Sequence, residues 1–208
     1  MPSKARVRGR GESKGAFVEA TQELLRRRGY AASGLGEIVA RSGAPKGSLY
    51  FHFPGGKQEL AVAAMERSAA QLRDAMAAVL DGGDDVEEGI GRLIDALATG
   101  LAESDFADGC PIATVALETA GESPPMRTAA RAAFDSWLEV LERRLSRDGL
   151  DPAAAEQRAL LVLSAIEGAL ILARARRDVA PLLAVSAELR LHAASTRRPP
   201  DAAETPKR

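Results

Sequence analysis

The sequence has few of the residues that build disulfide, metal and catalytic sites. It contains one cysteine, Cys110, and two histidines, His52 and His192, in 208 residues. A single cysteine excludes an internal disulfide framework and is typical of a reducing compartment, so we expect a cytoplasmic location. No grouping of His, Cys, Asp and Glu has metal-ligand spacing, and the sequence lacks a glycine-rich phosphate loop and a serine nucleophile motif. These absences argue against an enzyme, and we expect no metal and no cofactor.

Aromatic residues and long apolar runs are also scarce. Aromatics make up 4% of the chain, and no alternating run of Val, Ile, Thr or Tyr is long enough to predict a strand. The longest apolar segment, residues 159–173, is interrupted by Ser164 and Glu167 and is shorter than the ~20 residues that cross a bilayer. We therefore expect an all-α protein with no membrane partner.

The charge is distributed unevenly along the chain, although the net charge is only −1. Residues 1–60 carry 11 lysines and arginines against 5 acidic residues, whereas the remainder carries 17 against 24. A basic N-terminal part suits a polyanion such as DNA, which an acidic C-terminal part would repel. The alternative is that the asymmetry arose by chance.

Residues 33–53 predict two short helices separated by Gly43. Ser33 is expected to cap the first helix with its hydroxyl, and Gly43 permits a sharp turn. Pro45 favours the first turn of a second helix that runs to about Phe53. The apolar stripe of the first helix consists of Leu35, Ile38 and Val39.

On the second of these helices, Leu49 and Phe53 are one turn apart and should face inward. The residues that then point outward or lie on the flanks are small, polar or aromatic: Gly47, Ser48, Tyr50, Phe51 and His52. Two short helices joined in this way predict a helix-turn-helix, which lays its second helix in a DNA groove.

Apolar periodicity and Gly, Pro, Asp or Ser boundaries predict the other helices. Their expected ranges are 12–28, 57–80, 86–103, 111–120, 125–146, 152–176 and 180–194. The helix at 57–80 spans over ~30 Å, so it should connect two domains and transmit movement. Its predicted core face is Leu60, Ala64, Ser68, Leu72, Ala75 and Val79. A basic arm at 1–10 and a tail at 197–208 are expected to be disordered.

The helix at 152–176 is apolar on all sides, so it must be covered on every side. One face can pack in its own domain and another on a second copy, which predicts a homodimer. The alternative is the central helix of a monomer. The candidate dimer residues are Leu163, Ile166, Leu170 and Leu183.

Several of these residues resemble the N-terminal signature of the TetR family of transcriptional regulators. They are Ser33, Ile38, Gly43, the run from Lys46 to Phe53, and Lys57. Pro45 and the segments 54–56 and 109–118 are similar to the LmrA/YxaF-like subgroup of that family. The resemblance implies about nine helices: an N-terminal three-helix helix-turn-helix domain joined by a long helix to a C-terminal ligand-binding and dimerisation domain. We expect the boundaries 9–69 and 70–196.

The resemblance also assigns DNA contacts to particular positions. Phosphate contacts are expected from Ser33, Tyr50, His52 and Lys57, and base contacts from Lys46, Gly47 and Ser48. Phe51 joins them if its ring contacts thymine methyls or sugars, and the alternative is that it folds back onto the first helix.

Six residues of the C-terminal part are candidates for an effector pocket or, alternatively, for plain core. They are Phe106, Cys110, Val115, Trp137, Leu141 and Glu167. Cys110 precedes a helix start, where the helix dipole could lower the pKa of its thiol and make it a sensor, but the preferred interpretation is a buried, inert cysteine. Trp137 and Glu167 each require a hydrogen-bond partner if buried.

The predicted function is a ligand-responsive repressor that binds a palindromic DNA operator as a homodimer and is released by a small aromatic or lipophilic effector. The alternative is a DNA-binding regulator, repressor or activator, that answers to a protein partner or to no ligand. Its C-terminal domain would contain no cavity.

Overall fold

The computed structural model describes residues 10–83, 85–119 and 121–196, which form helices and connecting turns and contain no strand. The helices are α1 Arg10–Arg28, α2 Leu35–Ser42, α3 Lys46–His52, α4 Gly56–Asp81, α5 Val86–Glu103, α6 Pro111–Thr119, α7 Pro124–Arg147, α8 Pro152–Arg176 and α9 Ala180–Thr196. The all-α prediction is confirmed. Apart from Arg10, the predicted arm and the predicted tail lie outside the described residues.

The turn between α1 and α2 differs from the prediction at Ser33. Gly34, in an extended conformation, is the N-cap of α2, and no side chain caps that helix. The Ser33 hydroxyl donates instead to the carbonyl oxygen of Gly29, four residues earlier. The predicted Ser33 cap is therefore wrong, because the side chain closes the preceding turn rather than the helix that follows.

The two short helices meet at Gly43 as predicted. Gly43 has a φ of 61° and ends α2 in the left-handed region, which an L side chain rarely adopts. Pro45 is the N-cap of α3, so the helix begins one residue later than expected. Leu49 and Phe53 are 1% and 2% exposed and fix α3 on the core.

The long helix α4 begins and ends within one residue of its expected range, but its buried face is displaced. The predicted face advances mainly in steps of four residues, and each such step rotates the stripe by ~40°. Ala75 is consequently exposed. The buried face of α4 continues instead through Met65, Ala69, Met76 and Leu80.

The C-terminal helices pack around α7 and α8 on the far part of α4. Trp137 of α7 is buried, and its indole N–H donates to the carbonyl oxygen of Ala69 at 3.0 Å. This bond fixes α7 to α4 and supplies the partner that the sequence required for Trp137. One side of α8 is buried in the same core, while its other side carries exposed leucines and an isoleucine.

Candidate DNA-binding surface and effector cavity

The outer face of α3 is exposed and carries large side chains. Tyr50 is 55% and Phe51 64% exposed, and Lys46 and Gly47 are exposed beside them. Phe51 therefore points outward as predicted, and the alternative that it folds back onto α1 is wrong. A short helix with this face, supported by α1 and α2, can enter the major groove of B-DNA.

Ser48 and His52 belong to the same helix but are engaged within it. The Ser48 hydroxyl donates to the carbonyl oxygen of Pro45 at 2.7 Å. Nε2 of His52 is buried and has no hydrogen-bond partner among the described residues, and its ring contacts Phe51 edge-on with centroids 5.1 Å apart. A phosphate contact from His52 in this conformation requires its other ring nitrogen.

Lys57 is directed toward the turn that follows α1, not toward the outer face of α3. Its Nζ lies 4.2 Å from the centroid of the Tyr30 ring and donates to the carbonyl oxygen of Ala31 at 3.4 Å. Burial lowers the pKa of Lys57, and the nearby Glu118 carboxylate opposes that change. Since Ser33 is also buried, neither of these predicted phosphate contacts lies with Tyr50 on the exposed face.

Two ion pairs hold α2 against α1. The guanidinium of Arg41 lies 2.6 Å from the Glu23 carboxylate, and that of Arg28 lies 3.0 Å from the Glu37 carboxylate. Exposed pairs of this kind stabilise a fold only slightly. The buried side chains Ile38 of α2 and Leu49 of α3 therefore supply most of the energy that holds these two helices in place.

A cavity of about 420 Å³ lies among α1, α4, α5, α7 and α8. Its apolar wall includes Leu72, Met76, Leu93, Leu97, Leu101, Trp137, Leu163, Ile166 and Leu170. Among the six predicted pocket residues, Cys110, Trp137 and Glu167 line it. Val115 and Leu141 are fully buried elsewhere in the core, and Phe106 lies in the α5–α6 loop below the Arg177 guanidinium.

Three predicted dimer residues belong to this cavity wall. Leu163, Ile166 and Leu170 are buried in the protomer and face the cavity, so their assignment to a dimer surface is corrected. An all-round apolar helix does not reveal from its sequence which side faces inward. Among the α8 and α9 side chains that the structure describes, the large apolar ones that are exposed are Leu160, Leu161, Ile171, Leu172 and Leu183, of which only Leu183 was predicted.

Glu167 is the acidic group in the apolar part of the cavity. Burial raises the pKa of the Glu167 carboxyl, and a hydrogen bond from the Cys110 thiol opposes this rise. Its Oε2 is buried and has no hydrogen-bond partner among the described residues. The carboxyl therefore offers one unused polar atom to a molecule in the cavity.

The Cys110 thiol is not activated by its position before α6. Burial and the neighbouring Glu167 raise the pKa of Cys110, while the backbone N–H of Ala113 donates to Sγ at 3.4 Å. The raised pKa agrees with the interpretation of Cys110 as a buried, inert cysteine rather than a reactive thiolate. Cys110 instead connects the start of α6 to the cavity.

The polar end of the cavity comes from α1 and α4, and sequence reasoning missed it. Nε2 of Gln22 donates at 2.9 Å both to Ser68 Oγ and to Gln71 Oε1. The Arg26 guanidinium lies 2.6 Å from the Asp108 carboxylate at the same end. No local sequence pattern indicates that these residues form part of a cavity, because they come together only when the N-terminal helix packs on the C-terminal part.

The described residues include no group of three His, Cys, Asp or Glu side chains that could hold a metal ion. None of the helices there is long and apolar enough to span a bilayer.

Comparisons with known proteins agree with this arrangement. Residues 17–64 match the family model described as bacterial regulatory proteins, tetR family. Residues 87–188 match the model for the C-terminal domain of LmrA/YxaF-like transcriptional regulators. The HTH-type transcriptional regulator LmrA of Bacillus subtilis is 34% identical over 176 residues, which cover 85% of this chain and 94% of the relative.

Solved structures share the same fold. The reduced form of Escherichia coli NemR superposes with a TM-score of 0.78 at 21% identity, covering 86% of this chain and 95% of that one. A cysteine mutant of the TetR family regulator CifR, complexed with 26 bp of double-strand operator DNA, superposes with a TM-score of 0.72 at 22% identity. That match covers 84% of this chain and 93% of the CifR chain.

Proposed function

Because the chain belongs to the TetR family of transcriptional regulators, we propose that it is a cytoplasmic repressor released from its operator by a small aromatic or lipophilic effector. It is a DNA-binding regulator rather than an enzyme. In this proposal, residues 9–69 bind the operator, and residues 70–196 bind the effector and join two protomers.

The exposed outer face of α3 carries the DNA-binding part of the proposal. Tyr50 and Phe51 are large side chains that a small helix would normally bury, yet both are more than half exposed. Lys46 adds a cation at the start of the same helix, where it can reach a guanine edge or a phosphate. The fold shared with CifR, whose structure includes operator DNA, supports the same use of this helix.

The cavity supports control by a small molecule over control by a protein partner alone. Its volume of about 420 Å³ and its leucine-rich wall suit a compact apolar molecule. The unpaired Oε2 of Glu167 can hydrogen-bond a polar atom of that molecule, and Trp137 in the wall can contact an aromatic ring. The alternative of a regulator without an effector predicts no such cavity.

A homodimer supports recognition of a palindromic operator. The exposed apolar side of α8 carries Leu161 and Leu172, eleven residues apart and therefore on one face. Ala165 and Gly168 lie between them on that face and would allow a partner helix to approach closely. Two helix-turn-helix domains joined in this way can occupy successive major grooves, ~34–36 Å apart.

Selection from a pool of random-sequence duplexes tests the DNA-binding proposal with the full chain. We expect recovery of a palindrome whose half-sites are one helical turn apart. On that duplex, Lys46→Ala should relax the preference at particular bases by about 1–3 kcal/mol. Tyr50→Phe removes an uncharged phosphate contact, so it should weaken binding to all sequences alike and leave the salt dependence unchanged. Gel-shift titrations across salt measure both.

Arg131→Ala is the matched control, because Arg131 is an exposed cation of α7 far from α3 in the chain. It should leave duplex affinity unchanged. Failure of the wild-type chain to enrich any sequence, or equal effects of Lys46→Ala and Tyr50→Phe on every duplex, would contradict the proposed surface.

A further inference from the structure

Glu118, in the last turn of α6, joins the C-terminal part of the molecule to the turn after α1. Its Oε2 accepts hydrogen bonds from the backbone N–H of Tyr30 at 2.6 Å and from that of Ala31 at 3.1 Å. A carboxylate that accepts from two backbone donors makes charge-assisted bonds, which are stronger than those between neutral groups.

A glycine in the turn after α1 leaves room for the Glu118 carboxylate. Gly29 has a φ of 76°, and a Cβ added there would collide with the Glu118 carboxylate. Glycine therefore serves both the backbone conformation and the close approach of the acid. Lys57 lies over the Tyr30 ring beside it, and Glu118 acts on the pKa of Lys57.

The same turn positions the start of α2. The backbone N–H of Ser33 donates to the carbonyl oxygen of Tyr30 at 3.1 Å, and its hydroxyl donates to that of Gly29. Gly34 follows as the N-cap of α2. A displacement of the Tyr30 backbone is thus passed to α2, and through Gly43 to α3.

The other end of α6 borders the cavity. Cys110, immediately before α6, lines the cavity together with Glu167. The backbone N–H of Gly109 donates to the carbonyl oxygen of Arg26 at 3.1 Å. Since α6 has nine residues and is about 13 Å long, movement at Cys110 displaces Glu118 as part of one rigid rod.

We propose that the bonds from the Tyr30 and Ala31 amides to the Glu118 carboxylate are the contact through which the cavity sets the position of the helix-turn-helix. This inference rests on the proposed function and assigns a regulatory role to a residue outside both the DNA face and the cavity. With the bonds intact, α3 is held where it fits the operator. When α6 is displaced, the turn after α1 loses its two-bond attachment and the fit is lost.

Amide hydrogen exchange in the free, full-length chain tests the contact without DNA or effector. Glu118→Ala should speed exchange of the Tyr30 and Ala31 amides by about tenfold or more, because a bonded amide exchanges only after its bond opens. Glu118→Gln, which keeps the shape but loses the charge, should give a smaller increase. Glu122→Ala removes an exposed acid just beyond α6 and should leave both amides unchanged.

Selectivity for DNA tests the consequence of the contact. The measured quantity is the ratio of affinities for the duplex selected by the wild-type chain and for a random duplex of equal length. Removing a carboxylate near DNA raises both affinities through charge, so the ratio isolates the position of α3. Glu118→Ala should lower this ratio by about tenfold, a typical coupling between sites.

The two measurements separate the possible failures. Unchanged exchange at Tyr30 and Ala31 in Glu118→Ala overturns the contact itself. Faster exchange with an unchanged affinity ratio overturns its regulatory role. If the wild-type chain selects no duplex, the proposed function fails, while the exchange result still decides whether Glu118 holds the turn.

Discussion

Individual residues of this protein acquire their properties from the places where helices meet. Glu167 would be an ordinary surface acid in an isolated α8, yet in the packed molecule burial raises the pKa of its carboxyl. Burial and the neighbouring Glu167 raise the pKa of the Cys110 thiol, which opposes the reactivity that a helix start could confer. Because both residues line the cavity, the polar group in its apolar part is a shielded carboxyl, whereas the Arg26–Asp108 ion pair lies at its polar end.

The raised pKa of Glu167 makes the stability of the protein depend on pH. Between the ordinary pKa of a glutamate and the raised folded value, the folded state keeps a proton that the unfolded state has released. The contribution of Glu167 to the free energy of unfolding is therefore fully present below the unfolded pKa. It declines as pH rises toward the folded pKa, by up to about 1.4 kcal/mol per pH unit. Glu167→Gln cannot ionise and should lack this decline.

Urea unfolding of the wild type and of Glu167→Gln from pH 5 to pH 7.5 measures this difference. The free energy of unfolding of the variant should gain on that of the wild type as pH rises. Glu156→Gln is the control, since Glu156 is an exposed acid of the same helix. A constant difference between Glu167→Gln and wild type across this range would show that Glu167 titrates normally.

At the scale of elements, two glycines of the helix-turn-helix domain, Gly43 and Gly15, show how backbone conformation determines the effect of a glycine on stability. Gly43 adopts a φ of 61° with open space around the position of a Cβ, so only the backbone conformation disfavours a side chain there. Gly15 lies inside α1, also with open space, and has no such conformational need. Matched substitutions of these two glycines by alanine should therefore act in opposite directions.

We expect Gly43→Ala to lower the free energy of unfolding by about 1–2 kcal/mol, the strain of a left-handed L residue. Gly15→Ala should raise it by about 0.5–1 kcal/mol, because alanine favours a helix interior more than glycine does. Thermal or urea unfolding of the full chain measures both. Two changes of the same sign would contradict the conformational argument.

Local signals of this kind explain how much of the fold the sequence predicts. Gly43, Pro45 and the apolar spacing of Leu49 and Phe53 act within a few residues, so the helix-turn-helix was predicted nearly residue by residue. Helix boundaries such as those of α5 and α8 follow from flanking Gly, Asp and Pro for the same reason. The resemblance to the TetR family was equally local and is confirmed by the family models.

The site depends on contacts between distant segments, and there the sequence predicts less. Gln22 and Leu97 line one cavity although 75 positions separate them, and neither differs locally from an ordinary helix residue. The reversed roles of Leu163 and Leu161 have the same origin, because an all-round apolar helix shows no inward side until its neighbours are placed. The contact of Glu118 could not be predicted either, because its partner, the Tyr30 amide, lies 88 positions earlier in the chain.

At the scale of the whole molecule, the charge distribution bears on DNA binding and the exposed apolar surface bears on pairing of two protomers. The basic N-terminal part suits the operator, while the acidic remainder keeps the rest of the protein away from the phosphates. The exposed leucines of α8 lie in that remainder and form the surface proposed to bring two heads together. A single head on one half-site should bind far more weakly than two joined heads on a palindrome.

Breaking the proposed dimer surface should therefore produce a folded monomer with weak operator binding. In Leu161→Glu combined with Leu172→Glu, two carboxylates replace apolar side chains that are already half exposed, so the protomer should keep its fold while two copies repel. Light scattering should give about 21.9 kDa instead of about twice that mass, and operator affinity should fall by about 100-fold. Leu117→Glu tests specificity, because Leu117 on α6 is still more exposed but stands outside the α8 face. The pairing proposal fails if the double variant keeps the mass of a dimer, or if Leu117→Glu dissociates the protein equally well.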